Sequence, residues 1–285
     1  LQIVIGCVIM KILEGIGMMK RTILMGLALS AVSAANAAIN LTSLTYSENF
    51  DGLGNASAGL FTPNNTNKLL PGTTGWEGSK IGGGNLTMDF FRASGVGTTL
   101  TAGIYAFGNG SETDRALGAV ASGTRVGGFG VEFVNLTGAA ISRVTISFTQ
   151  ENWRSSTTTQ NVFTFGYRTG TAAAANFING AGFLSESSLN LVGPPPLSSS
   201  GGLDGNLLAN QVARSATLTF TVPVGVGESI YLQWLDVDDL GSDAGLAIDN
   251  FSLTATQVNA VPEPFTMALG IAGAGVFVRR RLRRA

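Results

Sequence analysis

The sequence predicts an all-β protein, an antiparallel β-sandwich of the jelly-roll type. Three observations predict it: apolar and polar residues alternate at period two through much of residues 39–258, Gly, Asn and Ser punctuate the runs, and no stretch of this body shows a convincing amphipathic helical period. In "VTISFTQ" the alternation sets Val144, Ile146 and Phe148 against Thr145, Ser147 and Thr149. "TLTFTVP" repeats the pattern with Leu218, Phe220 and Val222, and "SIYLQWLD" with Ile230, Leu232 and Trp234, which places Trp234 in the core. Further strands are expected at 131–135, 162–168 and 246–254. Residues 170–211, with "TAAAAN", "GPPPLSSSGG" and "LDGN", read as a long irregular loop, either facing a ligand or a variable surface excursion. No fixed-period repeat is visible, which speaks against a solenoid or propeller.

A body spanning residues 38–258 fits a single sandwich domain. Only 12% of the 285 residues are charged and 39 are Gly, a mix that suits strands and turns in an extracytoplasmic medium better than a charged helix bundle. There is no histidine, so Ser-His-Asp and Cys-His catalysis and histidine-ligated zinc are excluded within this chain. The one cysteine, Cys7, leaves no disulfide framework. Between residues 38 and 260 nine Lys and Arg face sixteen Asp and Glu, a net of −7 that repels phosphate backbones and attracts cations, so no nucleic-acid partner is expected.

The two ends carry localisation signals. Met19-Lys20-Arg21, the apolar "TILMGLALSAVSA" and Ala35-Asn36-Ala37 follow the basic, apolar, small-residue order of a secretory signal peptide helix, 19–37, handed to the Sec export machinery and cut after Ala37. Residues 1–18 precede that start and read as an over-extended start or a longer basic region. At the other end residues 265–278 carry no charge and span about 21 Å as a helix, short of a bilayer core of about 30 Å. As a single transmembrane helix this span would rely on its arginines to snorkel, and a buried core helix with a basic end is the alternative. Arg279, Arg280, Arg281, Arg283 and Arg284 would stop transfer and stay cytoplasmic.

Val261-Pro262-Glu263-Pro264, the short apolar span and the arginine cluster together resemble the PEP-CTERM sorting signal over residues 261–285. The resemblance implies an exosortase-type membrane protease as partner, transient residence in the inner membrane, and then release or attachment at the cell surface. The body resembles secreted jelly-roll domains related in style to carbohydrate-binding modules, through "ENFDGL" at 48–53, "DRALGAV" at 114–120, "FVNLTGAAI" at 133–141, "QENWR" at 150–154, "LDGN" at 203–206 and "GLAIDNFSL" at 245–253. It implies a non-catalytic surface module. It also implies a structural calcium joining the first and last strands, which would fall to Glu48, Asp51 and Asp249.

The residues offer their own candidates for chemistry. Asp236, Asp238, Asp239 and Asp243 form the densest acidic cluster, a second choice for calcium or a set of turn-capping residues, and their spacing is not that of an EF-hand. Trp76, in the Gly-rich "PGTTGWEGSK", and Trp153, at a strand end, are the exposed-looking rings that could stack on a sugar, with Tyr105, Tyr167 and Tyr231 as further rings, although packing explains each tryptophan more simply. Glu132 and Glu151 are the pair that a glycosidase would need, although surface-facing strand positions explain them more simply. The expected function is thus a non-enzymatic, exported surface protein that binds envelope or exopolysaccharide glycans. A structural or adhesive matrix protein without a small ligand is the alternative, and a polysaccharide hydrolase the third.

Overall fold

A computed structural model of the protein describes residues 38–53, 67–82, 89–92, 100–109, 113–123, 125–171 and 176–258. The expected leader at 1–37 and the sorting tail, with Val261, Pro262, Glu263, Pro264 and the five terminal arginines, lie outside the described residues. Among the described residues no helix is long and apolar enough to cross a membrane.

The sandwich is as the alternation predicted. One sheet runs β11 (Leu184–Ser185), β10 (Val162–Thr171), β14 (Glu228–Leu235), β8 (Val126–Asn135), β4 (Trp76–Gly82), β3 (Lys68–Leu69), with β1 (Ile39–Leu41) beside β8 and β12 (Leu191–Val192) beside β10. The other runs β13 (Gln211–Val224), β9 (Ile141–Arg154), β15 (Gly245–Gln257), β7 (Ala116–Val120), β6 (Gly103–Phe107), β5 (Asp89–Arg92), with β2 (Thr45–Glu48) beside β15. The chain therefore changes sheets between β1 and β2 and ties both layers at its start. Two ladders, β1 with β8 and β5 with β6, are parallel, which a purely antiparallel sandwich would not contain.

Trp234 sits where the two layers meet. Its ring lies 6.2 Å from Trp76, 5.7 Å from Phe129 and 5.0 Å from Phe165 of its own sheet, and 5.5 Å from Phe148 and 6.3 Å from Phe251 of the opposite one. Its Nε1–H donates to the Leu189 carbonyl at 3.1 Å, so the indole is buried with its one polar atom satisfied. That bond also holds the 186–192 segment against the sandwich, where Leu189 and Leu191 are buried.

Two departures from simple alternation have physical causes. Val222 was expected inside with Leu218 and Phe220, yet it is 75% exposed. The ladder of β13 to β9 breaks between Thr219 and Val224, so the strand leaves its partner there. In the other sheet Tyr231 and Gln233 are buried although they alternate with the inward Ile230, Leu232 and Trp234. Residues 176–183 lie over that outer face, with Phe177 and Ile178 packed beside Tyr231. Three glycines make room: a Cβ at Gly128 would come within 2.8 Å of Leu235, one at Gly130 within 2.4 Å of the Leu232 carbonyl oxygen and 3.0 Å of Phe177, and one at Gly166 within 3.2 Å of Phe183.

Replacing Trp234 by Ala removes the ring common to all five contacts. A loss of about 3–5 kcal/mol is expected for a large buried aromatic, read as a lower urea midpoint with little change in slope.

Candidate functional site

The two tryptophans weighed for stacking on a sugar are core residues, in the packing role that was the simpler reading. Trp76 is 0% exposed, packed against Phe50 and Phe251, and its Nε1–H donates to the Tyr46 hydroxyl at 3.1 Å. Trp153 is likewise 0% exposed; it stacks on Phe107 at 5.6 Å and donates to Glu151 Oε2 at 3.0 Å. Gly205 lies directly on its indole, where a Cβ would stand 2.4 Å from the ring. Neither ring has a face left for a ligand. Tyr105 and Tyr231 are buried as well, and of the three tyrosines named with them Tyr167 keeps partial exposure.

Glu132 and Glu151 cannot form a glycosidase pair. Glu132 lies between the inward Val131 and Phe133 and points to the outer side of its sheet, accepting from the Ser229 hydroxyl at 2.6 Å. Glu151 stands opposite Ala247 on the outer side of the other sheet. The whole sandwich, with sheets about 10 Å apart, separates them.

The residues assigned to calcium are brought together in part. The termini do pair: Glu48 stands opposite Phe251 in the β2–β15 ladder, two residues from Asp249. Asp51 is not in the first strand but in a 3-10 turn, Asp51–Leu53. Its Oδ1 accepts from the Arg115 backbone N–H at 3.2 Å. Glu48 accepts from the Phe50 N–H at 3.0 Å. Asp249 is 3% exposed; one oxygen accepts from Asn250 Nδ2 at 2.6 Å, while Oδ1 is buried without a hydrogen-bond partner. Burial pushes the Asp249 carboxyl up to about 7, and the charges of Asp114 and Asp51 add to the rise. Asp114 is a member that the sequence reading did not single out. Glu151 joins the same group: burial and then Asp249 push it up to about 8, against hydrogen bonds from Trp153 and Gln211.

The Asp236–Asp243 loop is organised by a residue that the sequence did not single out. Asn161 donates to Asp243 Oδ1 at 2.9 Å and to Asp239 Oδ2, and accepts from the Ala244 N–H at 2.6 Å. Arg154 donates to the Asp243 carbonyl at 2.9 Å. Asp236 is buried with Oδ2 unpartnered, and burial raises its carboxyl well above the ordinary range, with Asp243, Asp239 and Asp238 adding to the rise. Asp243 is pushed up to about 6, again mainly by burial. Asp238 is exposed. Among the described residues no three acidic side chains converge closely enough to hold a metal ion by themselves. An ion at either place would need backbone carbonyls or waters to complete its six to eight oxygens.

Among the described residues a concave surface suited to a ligand lies elsewhere, at the open edge between β10 and β13. It is a groove of about 320 Å³, walled by Tyr167, Phe220, Leu184 and Val222 and edged by the hydroxyls of Thr169, Thr219 and Thr221. Arg168 is its one charged residue. The guanidinium lies over the Tyr231 ring at 4.2 Å and the Phe183 ring at 5.3 Å, which holds it in place. The groove exists because β11 stops after two residues and β13 leaves β9 at Thr219. Neither break shows in an alternation pattern.

No family model matches the chain, and no curated protein matches it. Solved structures overlap it loosely. The CBM22-1 xylan-binding domain from Paenibacillus barcinonensis is 12% identical over 75% of this chain and 95% of its own, with a TM-score of 0.34. The K3 cleaved adhesin domain of Lys-gingipain from Porphyromonas gingivalis is 13% identical over 74% and 92%, with a TM-score of 0.31. The enzymatically active domain of tailspike protein 4 from bacteriophage CBA120 is 10% identical over 64% of this chain, which spans 19% of that chain, with a TM-score of 0.33. Overlaps this loose carry no argument about ligand or activity.

Glu151, Asp249 and Asp243 have carboxyl groups raised in the folded state, so folding takes up protons between the unfolded value and the folded one. Their stabilising contribution is complete below about pH 4 and is lost as pH rises through about 6 to 8. In chelator, the melting temperature is therefore expected to fall from pH 5.5 to pH 8.5, and Glu151→Gln is expected to flatten that slope.

Proposed function

We propose that the chain is an exported, non-catalytic surface module that binds envelope or exopolysaccharide glycans in the groove between β10 and β13. The observation that carries this reading is the composition of the groove. Tyr167, Leu184 and Val222 offer apolar area to a pyranose face, while three threonine hydroxyls offer hydrogen bonds to its rim. Leu184 is 60% exposed and Val222 75%, so both present apolar area at the groove wall.

Calcium fits best at the joined termini. The buried, unpartnered oxygen of Asp249 and its repulsion by Asp51 and Asp114 are what a divalent cation would relieve, with Glu48 close in the adjoining strand. There the ion would fasten β2 to β15, a structural role. The Asp236, Asp238, Asp239 and Asp243 loop is the second choice, since Asp236 also keeps an unpartnered buried oxygen.

Delivery rests on the sequence motif alone. The leader would engage the Sec machinery, the apolar span and arginines would hold the chain in the inner membrane, and an exosortase-type protease would act near Val261-Pro262-Glu263-Pro264. The mature body would then reside at the cell surface or outside the cell. A structural or adhesive matrix role without a small ligand is the second reading, favoured by the long free edge of β13.

Two experiments test the proposal. In affinity electrophoresis through gels containing single polysaccharides, retardation is expected for at least one glycan. It should drop about tenfold in Leu184→Asp/Val222→Asp, since losing this apolar area is worth at least about 1.4 kcal/mol. Undiminished retardation would take the groove out of the account, and no retardation by any glycan would favour the matrix role. The intact mass of the protein recovered from cells should lack residues 1–37 and the segment beyond the Pro-Glu-Pro turn.

A further inference from the structure

An unpaired edge strand presents a row of N–H and C=O groups that a second strand can satisfy, and proteins usually blunt such edges by shortness, charge, proline or a bulge. Three of the four described sheet ends are short: β3 has 2 residues, β11 has 2 and β5 has 4. The fourth, β13, has 14. It ladders to β9 without a break from Gln211 to Thr219, and among the described residues no strand pairs with its other side. This nine-residue run contains no proline and one charge, Arg214, whose Nε and Nη2 turn inward to Gln150 Oε1 at 3.1 and 2.8 Å. Ala213, Ser215 and Thr217 point to solvent. Of the usual devices this run carries one, the inward-turned Arg214; Pro223 and the break in the ladder lie beyond Thr219.

We infer that β13 pairs with the β13 of a second copy of this chain, antiparallel and about a two-fold axis at Ser215, joining two seven-stranded sheets into one. Such a contact is self-complementary by symmetry. The run itself selects both the partner and the register. Centred on Ser215, its midpoint, the pairing sets Gln211 opposite Thr219, Val212 opposite Leu218, Ala213 opposite Thr217 and Arg214 opposite Ala216. No charge meets its like, and Val212, 38% exposed, gains an apolar neighbour. Centred one residue earlier, the same strand would set Arg214 against Arg214. A second copy also matches the edge in length and in lack of charge, residue for residue.

The pairing ends where β13 leaves β9. Of the groove residues on β13 only Thr219, the last of the run, takes part in the pairing, and Phe220, Thr221 and Val222 lie beyond it, so each copy keeps its groove and the pair holds two, one at each end of the shared strands. Pairing stands whether or not the groove takes a sugar. If it does, two grooves on one rigid body would bind a polymer with avidity that neither has alone. The bodies repel through their net charge of −7, so added salt should strengthen the pair.

Sedimentation velocity of the full chain in mild detergent, across a micromolar concentration series, tests the inference. A monomer–dimer equilibrium is expected, tightening with salt. Ser215→Lys places two ammonium groups face to face on the axis and should weaken the dimer about tenfold or more with an unchanged melting temperature, whereas Thr45→Lys on β2 should leave it intact. In a Cys7→Ser background, Ser215→Cys should cross-link to a dimer with a short bifunctional thiol reagent and Leu208→Cys should not. A chain that stays monomeric at every concentration overturns the inference. So does a dimer indifferent to Ser215→Lys, which would mark association through the apolar tail.

Discussion

The contact on which the rest of the structure depends is the closure of the two sheets around Trp234. Five aromatic rings from both layers converge on it, and its single N–H reaches out to fasten the 186–192 segment. Once that contact is made, the inward phase of every central strand is fixed and the outward phase follows, since neighbours along a strand point to opposite faces. The fates of the chemically interesting side chains are consequences. Glu132 and Glu151 are driven to opposite outer surfaces, Trp76 is drawn into the core, and a groove is left open at the rim where the sheets diverge.

The outer surfaces are not simply wet. On one, residues 176–183 cover Tyr231 and Gln233; on the other, Tyr105, Phe107 and Trp153 form a satellite core around the outward Glu151. Carboxylates placed beneath such covers lose water without gaining a basic partner, which is why Asp236, Asp249 and Glu151 all have raised proton affinities. Hydrogen bonds from Trp153 and Gln211 to Glu151 and from Asn250 to Asp249 offset part of that cost. The unpartnered oxygens of Asp236 and Asp249 mark where the compensation is incomplete.

What the sequence made legible follows from which faces are wet. β9, the regular part of β13 and β15 alternate because one side meets solvent, and their strands were read with little error. β4, β6 and β7 are buried on both sides and carry no alternation, so nothing in "WEGSKIG", "GIYAF" or "ALGAV" announced a strand. Trp76 looked exposed because glycines surround it, yet Gly72 and Gly75 supply the positive φ of a tight turn that returns the chain into the sandwich. Trp153 looked exposed at a strand end, and Gly205, more than fifty residues away, covers it. Asn161 and Gln150 escaped notice for a similar reason. Gln150 bonds to both backbone groups of Val192, at 2.7 and 3.0 Å, and thereby closes one edge of the sandwich, a role visible only when the two segments are seen together.

The cover over the first sheet is specified by absence. Gly128, Gly130 and Gly166 leave a trough in the outer face, and residues 176–183 settle into it because there are no side chains to hold them off. Architecture at that surface is therefore encoded in three missing methyl groups, a kind of information that hydrophobicity does not register. A related chain with ordinary residues at these three positions could not seat the segment. It would present Tyr231 and Gln233 as an open floor, so three letters distinguish a two-layered from a three-layered version of this fold.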